Sequence, residues 1–479
     1  MMRNYNIPAK PMAPNQYDQE RWEHTGMRRR MIQGKYEEDL EHELARHLPM
    51  DRREAWGPAD LSSNVLENVT RQLSMLYHAS PTVTHPDYDV APLFGRDGLV
   101  IKAGLWPLMQ RVQQMALGLR ECIVRIDAPK NAGLQYRLVT PDFVYAEAHQ
   151  DAPDVPVYYQ ELRLRFNALK GKGEWVADCL DISDLDNPKF ALYKIDSDGT
   201  KAEDVTELYL GHGPMVGDAY PYRDSTGRPF LPLEIYRAEK TGQLFNPYDA
   251  SQLAYGSLTS GVLWSFFTHA LRDASWPQRY AAGLMLQGLT QQDTAVGARR
   301  ATVSTDPSSI LMFASDPDIG QPMIGQFQAG CDPLQLLESI SKYEIRVSTA
   351  AGISGDILRQ SGDPRSGYAI SVSRSGQREM SKRYAIVFRG VDESLIAKSA
   401  MMANLFLGQS APEKGYRVVY PQIPLSPEEM KAQREDVIQK LAANLISPVD
   451  AIQMLNPDLD VDGAKAELMR IRRERAEFI

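Results

Sequence analysis

The chain is 479 residues long, 43% hydrophobic and 24% charged, with three cysteines and a formal net charge of −9. This is a globular composition with room for two or three domains, and its acidic balance argues against static gripping of duplex DNA while permitting a surface that DNA slides past. The scattered Cys122, Cys179 and Cys331 argue against a disulfide framework or a cysteine metal cluster, and with no apolar run of roughly 18 residues and no apolar leader, neither a membrane span nor secretion is expected.

Pro8, Pro11 and Pro14 predict an extended or disordered arm over residues 1 to about 20. Arg21 to His47 mixes both signs of charge, with Met27-Arg28-Arg29-Arg30 ahead of Glu37, Glu38, Asp39, Glu41 and Glu43, and predicts a solvated helix. Ser62 or Ser63 is placed to cap a helix carrying Val65, Leu66, Val69, Leu73, Leu76 and Tyr77. A further helix is expected over Leu105 to Leu119, leading into a strand at Cys122 to Ile126. From Leu134 to Leu233 the pattern changes to short alternating runs, Gln135 to Tyr145, Val157 to Phe166, Trp175 to Ile182 and Phe190 to Ile195, with polar turns too short for crossover helices. An antiparallel β-rich region follows from that spacing.

Pro229 to Tyr236 is extended and proline-broken, after which Asn246-Pro247 predicts a helix start and a helix running from Tyr248 to about Arg272. Gly256, Ser257, Ser260 and Gly261 would let another helix approach this one closely. Short strands are expected at Tyr280 to Leu286, Ala301 to Ser304 and Ile310 to Phe313. Asp332-Pro333 opens the next helix, whose apolar face is Leu336, Ile340, Tyr343, Val347 and Ala351. Between Ile353 and Ser366 glycine, proline, serine and aspartate dominate, which predicts a loop. From Gly367 a helical pattern runs about forty residues, roughly 60 Å at full helical rise. Gly415 to Val419 reads as a strand. Ser426-Pro427-Glu428-Glu429 and Ser447-Pro448-Val449-Asp450 open two more helices in capping-box spacing, and Ala464 to Ala476 forms a last one. Helices together with antiparallel strands indicate an α+β class.

The candidate chemistries fail on spacing. Gly352-Ile353-Ser354-Gly355 lacks the second glycine of a nucleophile elbow, where Asp356 stands instead. His42 and His47 are five residues apart, about 140° round a helix, and cannot share a zinc. Asp196-Ser197-Asp198-Gly199 lacks the bidentate acid of a calcium loop, and Lys170-Gly171-Lys172-Gly173 lacks the spacing and hydroxyl of a phosphate-binding loop. No catalytic group, metal or cofactor is therefore expected. One constellation remains: Arg374, Arg378 and Lys382 recur every four residues as a basic stripe, facing either phosphates or acids such as Glu379 and Asp392.

In order and spacing, four passages resemble the portal proteins of tailed bacteriophages, the head-to-tail connectors. They are Arg228 to Leu271, the region from about Trp276 to Gly330, Asp332 to Ser373, and Val437 to Glu474. The resemblance implies a portal fold with a β-rich and helical wing, a helical stem, a small α/β clip, a long tunnel helix and an α-helical crown. Its parts would be an arm and charged helix at 1–50, wing at 51–247, stem helix at 248–275, clip at 276–331, second stem helix at 332–352, tunnel loop at 353–366, tunnel helix at 367–407, wing return strand at 408–424 and crown at 425–479.

The resemblance further implies a homo-oligomeric ring, usually of twelve chains, at one vertex of the virion, with small residues of the first stem helix suiting contacts between neighbouring chains. Double-stranded DNA would pass through its channel. Terminase, a head-completion or tail adaptor protein, and the major capsid and scaffold proteins would be partners. Ser354, Asp356, Arg359, Gln360, Ser361, Asp363, Arg365 and Ser366 would then face DNA from the tunnel loop, with Arg374, Arg378 and Lys382 just beyond. ATP hydrolysis would belong to the terminase. The competing readings are another head or adaptor protein of the virion, and a hydrolase using a loop serine.

Overall fold

The computed structural model describes residues 6–7, 10–11, 16–47, 58–129, 132–167, 172–195, 202–206, 220–245, 252–275, 279–282, 284–286, 313–315, 323–326, 332–351, 367–421, 427–456 and 461–477. The chain forms two units, one made of Met1–Ile32, Glu67–Asp249 and Ala351–Ile479, the other of Gln33–Leu66 and Ala250–Ala350.

In chain order, the short strands β1 (Asn6–Ile7) and β2 (Lys10–Pro11) pair with each other, followed by α1 (Gln16–Ile32), α2 (Glu37–His47) and α3 (Val65–Leu73). Strand β3 (Thr82–Thr84), the single turns α4 (Ala91–Phe94) and α5 (Leu99–Lys102), and α6 (Leu105–Leu119) lead into β4 (Glu121–Asp127). Helix α6 is buried almost all round, as its apolar composition requires. It stops at Arg120, whose φ of 76° is left-handed and turns the chain into the strand.

Next come β5 (Gln135–Val139), β6 (Val144–His149), β7 (Ala152–Asn167), β8 (Lys172–Asp181), β9 (Lys189–Ile195), β10 (Ala202–Asp204) and β11 (Leu233–Arg237). They form two antiparallel sheets in the orders β10-β9-β8-β7-β6 and β11-β4-β5. The antiparallel expectation holds, with one correction. The run Gln135 to Tyr145 is not one strand, because a turn of 3-10 helix at Pro141–Phe143 sends its two ends into different sheets.

Helix α7 (Gln252–Ser275) precedes four short strands, β12 (Arg279–Ala282), β13 (Leu284–Leu286), β14 (Phe313–Ser315) and β15 (Met323–Gln326), which pair β12 with β15 and β13 with β14. Asn246-Pro247 and Ala301 to Ser304 lie outside the described residues. Helix α8 (Pro333–Ala350) is opened by Asp332, whose carboxylate accepts from the Leu334 N–H at 3.0 Å. The 41-residue α9 (Gly367–Leu407) matches the length read from the sequence. Strand β16 (Arg417–Val419) pairs with β3, and α10 (Pro427–Ala442), α11 (Pro448–Leu455) and α12 (Val461–Glu477) end the chain. Ser447 and Asp450 make the expected capping box.

The amino-terminal expectations need several corrections. Helix α1 begins at Gln16, ahead of the residue 20 to which the arm is expected to run, and Gly34 at φ +70° divides the charged segment into two helices. Helix α2 carries its exposed Glu37, Glu38 and Glu41 as expected, but α1 is not a solvated helix. Arg21 is 0% and Arg28 2% exposed. Arg21 donates to the carbonyl oxygens of Pro141 and Val144 at 3.2 and 3.1 Å and lies 3.9 Å from the Phe245 ring centroid, while Arg29 pairs with Asp142 at 2.8 Å. These arginines serve internal carbonyls, carboxylates and rings, where a guanidinium combines charge with a flat packing face. Finally, Ser63 is not a helix cap: α3 starts at Val65, and the Ser63 hydroxyl reaches Glu344. The same helix ends at Leu73, short of Tyr77, where the Gln113 side chain accepts from the Leu76 N–H at 3.0 Å.

In the second unit the small residues of α7 do admit neighbours, but these belong to the same chain. A Cβ on Gly256 would lie 2.8 Å from a Val347 methyl of α8, and one on Gly261 would lie 2.9 Å from Leu40 of α2. This corrects the expectation that these small residues serve contacts between chains. Val347 is β-branched and stiff, so Gly256→Val is expected to lower stability by about 1–3 kcal/mol through overpacking. Gly390, exposed on α9 with nothing within 4 Å of its would-be Cβ, supplies the contrast. Gly390→Ala should raise stability by up to about 1 kcal/mol, since helix propensity alone changes there. Urea titrations of both variants against the parent read the two signs.

Candidate functional site

Among the residues singled out from the sequence, those of the loop, Ser354, Asp356, Arg359, Gln360, Ser361, Asp363, Arg365 and Ser366, lie outside the described residues. The stripe that follows is on α9. Arg374 belongs to that helix, its side chain being outside the described set; Arg378 is half-buried and Lys382 is exposed.

The exposed face of α9 continues where the four-residue series stops. Glu379, Lys382, Arg383, Ile386, Arg389 and Gly390 are all exposed, at spacings that place them on one side of a helix. Ile386 is 77% exposed at its centre, and Arg383 pairs with Glu239 at 3.5 Å. Sequence reasoning missed Arg389 because the series 374, 378, 382 passes through an isoleucine at 386; the signal that could have found it is the next turn of the same face. The opposite face, with Tyr384, Phe388, Asp392, Leu395, Ile396 and Ala400, is buried. It packs on β11, where Tyr236 and Phe388 have ring centroids 5.5 Å apart and the Lys398 ammonium donates to the Leu233 carbonyl at 2.7 Å.

Asp392 is therefore not an acid for the stripe. Its side chain is on the buried face and accepts hydrogen bonds from three tyrosine hydroxyls, Tyr77 at 2.8 Å, Tyr236 at 2.7 Å and Tyr420 at 2.5 Å. Burial pushes its carboxyl up to about 6, against the lowering effect of those hydrogen bonds. Burial likewise pushes the Tyr77 and Tyr236 hydroxyls well above the usual phenol range, so they remain donors.

A second buried group joins the two sheets. Arg125 on β4 is 2% exposed and lies 3.1 Å from Glu161 on β7, 3.3 Å from Asp178 on β8 and 3.3 Å from Asp127. Arg137 also reaches Glu161 and Asp127, and Arg163 pairs with Asp178 at 3.1 Å. Three guanidiniums thus face three carboxylates. Burial alone would disfavour the charged form of Arg125, but Asp127, Asp178 and Glu161 outweigh it and hold the group charged. In the second unit, Glu344 of α8 gathers donors on one oxygen: the Ser63 hydroxyl at 2.5 Å, the Ser260 hydroxyl at 2.7 Å and the Trp264 indole at 2.8 Å.

These clusters hold elements together; none pairs a nucleophile with a base. Cys122 and Cys179 are buried and free, and burial pushes the Cys179 thiol up to about 12, far from a reactive thiolate. His42 and His47 are exposed. Among the described residues no group of His, Cys, Asp and Glu is placed to hold a metal, and no helix is long and apolar enough to cross a membrane.

No protein-family model matches the sequence, and no curated protein matches it. Among solved structures, the chain is similar to one in the neck of a native GTA particle computed with C12 symmetry, with 11% identity and a TM-score of 0.40 over 82% of this chain and 90% of that one. It is similar to the same extent to one in the neck of an empty GTA particle computed with C6 symmetry, with 11% identity and a TM-score of 0.40 over 82% of this chain and 88% of that one.

Proposed function

We propose that this chain is the subunit of a portal-type connector, a ring at one capsid vertex through which double-stranded DNA is packaged and ejected. The observation that carries the reading is a succession of described elements: α7, the short strands β12 to β15, α8, and then the unbroken 41-residue α9, with α10, α11 and α12 after it. A long helix preceded in sequence by a stretch rich in glycine and serine suits a channel wall, and a basic, partly apolar face on an otherwise acidic chain suits transient contact with phosphates.

In this reading α7 and α8 are the stem, β12 to β15 belong to the clip that meets terminase and then an adaptor protein, and α10 to α12 form the crown. The ring has usually twelve copies, is part of the virion, and contacts the major capsid and scaffold proteins. It is a conduit and not itself the motor.

Electron-microscope class averages of the purified protein test this directly, since closed rings with a central hole are expected and a strictly monomeric particle at every concentration overturns the reading. A second experiment addresses the loop. Deleting Gln360 to Arg365 is expected to leave ring assembly intact while most packaged DNA is lost, measured as DNA per particle. Equal DNA in both forms would remove the loop from the mechanism.

A further inference from the structure

We infer that Asp392 is a proton-binding site that ties the grip of α9 to pH, holding the helix most firmly when its carboxyl group carries a proton. The geometry is unusual for an acid. Asp392 is 1% exposed, and its hydrogen bonds come from tyrosines on three separate elements, Tyr77 beyond α3, Tyr236 on β11 and Tyr420 beyond β16, at sequence separations of 315, 156 and 28 residues. Among the described residues no cation pairs with it. A buried carboxylate without a cation is costly, and three hydroxyl donors offset only part of that cost.

The surrounding charges do not relieve it. On β11, Glu234 is engaged with Lys398 at 2.8 Å; on α9, Glu393 accepts from the Val418 N–H at 3.2 Å and opposes ionisation of Asp392, while Arg389 acts on Tyr420. The aromatic groups close the cage: Tyr77 stacks on Trp106 with centroids 6.2 Å apart and meets Tyr420 edge-on at 5.8 Å. A proton can therefore join or leave a site that touches four elements at once.

The sign follows from linkage. Burial raises the folded-state value from the ordinary 3.8 to about 6, so the stability contributed by this group is complete below 3.8 and is lost as pH rises through about 6. Above that pH the caged carboxylate is ionised, and α9 opens more readily from β11 and Tyr420.

Hydrogen–deuterium exchange of the full chain on either side of pH 6, corrected for intrinsic exchange, is the test. In the parent, protection around Asp392 and over Leu233 to Arg237 should fall as pH rises from 3.8 to about 6 and level off above that. In Asp392→Asn that pH dependence should vanish. Tyr420→Phe removes one stabiliser of the ionised form, so its levelling-off should move to higher pH. An unchanged pH profile in Asp392→Asn, or a levelling-off in Tyr420→Phe that stays or moves to lower pH, overturns the inference. If Asp392→Asn does not fold, the Tyr420→Phe profile decides alone.

Discussion

Arg125→Met is expected to cost about 3–5 kcal/mol of stability, the range for breaking a buried ion pair by removing one partner. Glu161 is 2% and Asp178 0% exposed, so methionine would leave two carboxylates out of water with less positive charge between the sheets. Arg137 and Arg163 cannot make up the loss, because each already serves the same acids from a more exposed position. Urea unfolding at fixed protein concentration should show a lower midpoint with little change in slope. Replacing Arg125, Glu161 and Asp178 together by methionine, glutamine and leucine should recover part of the loss, since the penalty comes from unpaired charge and not from missing attraction. A single-variant cost under about 1 kcal/mol would mean that the cluster is solvated like a surface pair.

Glu344→Ala is the corresponding experiment in the second unit, with an expected cost of about 2–4 kcal/mol. One carboxylate oxygen accepts from Ser63, Ser260 and Trp264, so its removal strands two hydroxyls and an indole N–H at a partly buried junction. Glu344→Gln keeps an acceptor and should cost less than half as much. Lys342→Ala on the same helix breaks an ion pair with Glu338 whose side chains are 68% and 64% exposed. Its effect should stay within about 0.5 kcal/mol. The ordering of the three variants in one denaturation series is the check, and a Glu344→Ala effect no larger than that of Lys342→Ala would show the three donors to be satisfied by water.

Much of the local structure was legible without coordinates. The apolar series of α6, α8 and α9, the aspartate opening α8 and the Ser447 capping box depend on residues within a few positions of each other, and the sequence places each at nearly its observed bounds. The arginines of α1 were misread for the complementary reason. A run of both charge signs looks solvated by composition, but Arg21 is placed by carbonyls 120 and 123 residues away. The candidate loop follows from composition and the stripe from spacing, and spacing alone cannot tell that Asp392 faces inward or that Arg389 extends the outward face.

What the sequence by itself determined is therefore the set of elements and their order: antiparallel strands from alternation and short turns, helices from three-and-four periodicity, caps from hydroxyl and acid spacing. Only the tertiary structure decided which polar groups are buried and with whom. The pairings of β3 with β16, Ser63 with Glu344, Tyr77 with Asp392, and Arg125 with Glu161 and Asp178 join residues far apart in the chain. Local hydrogen bonding and periodicity are set by the nearest few residues, whereas the cost of a buried charge or donor is set by whatever the fold brings beside it.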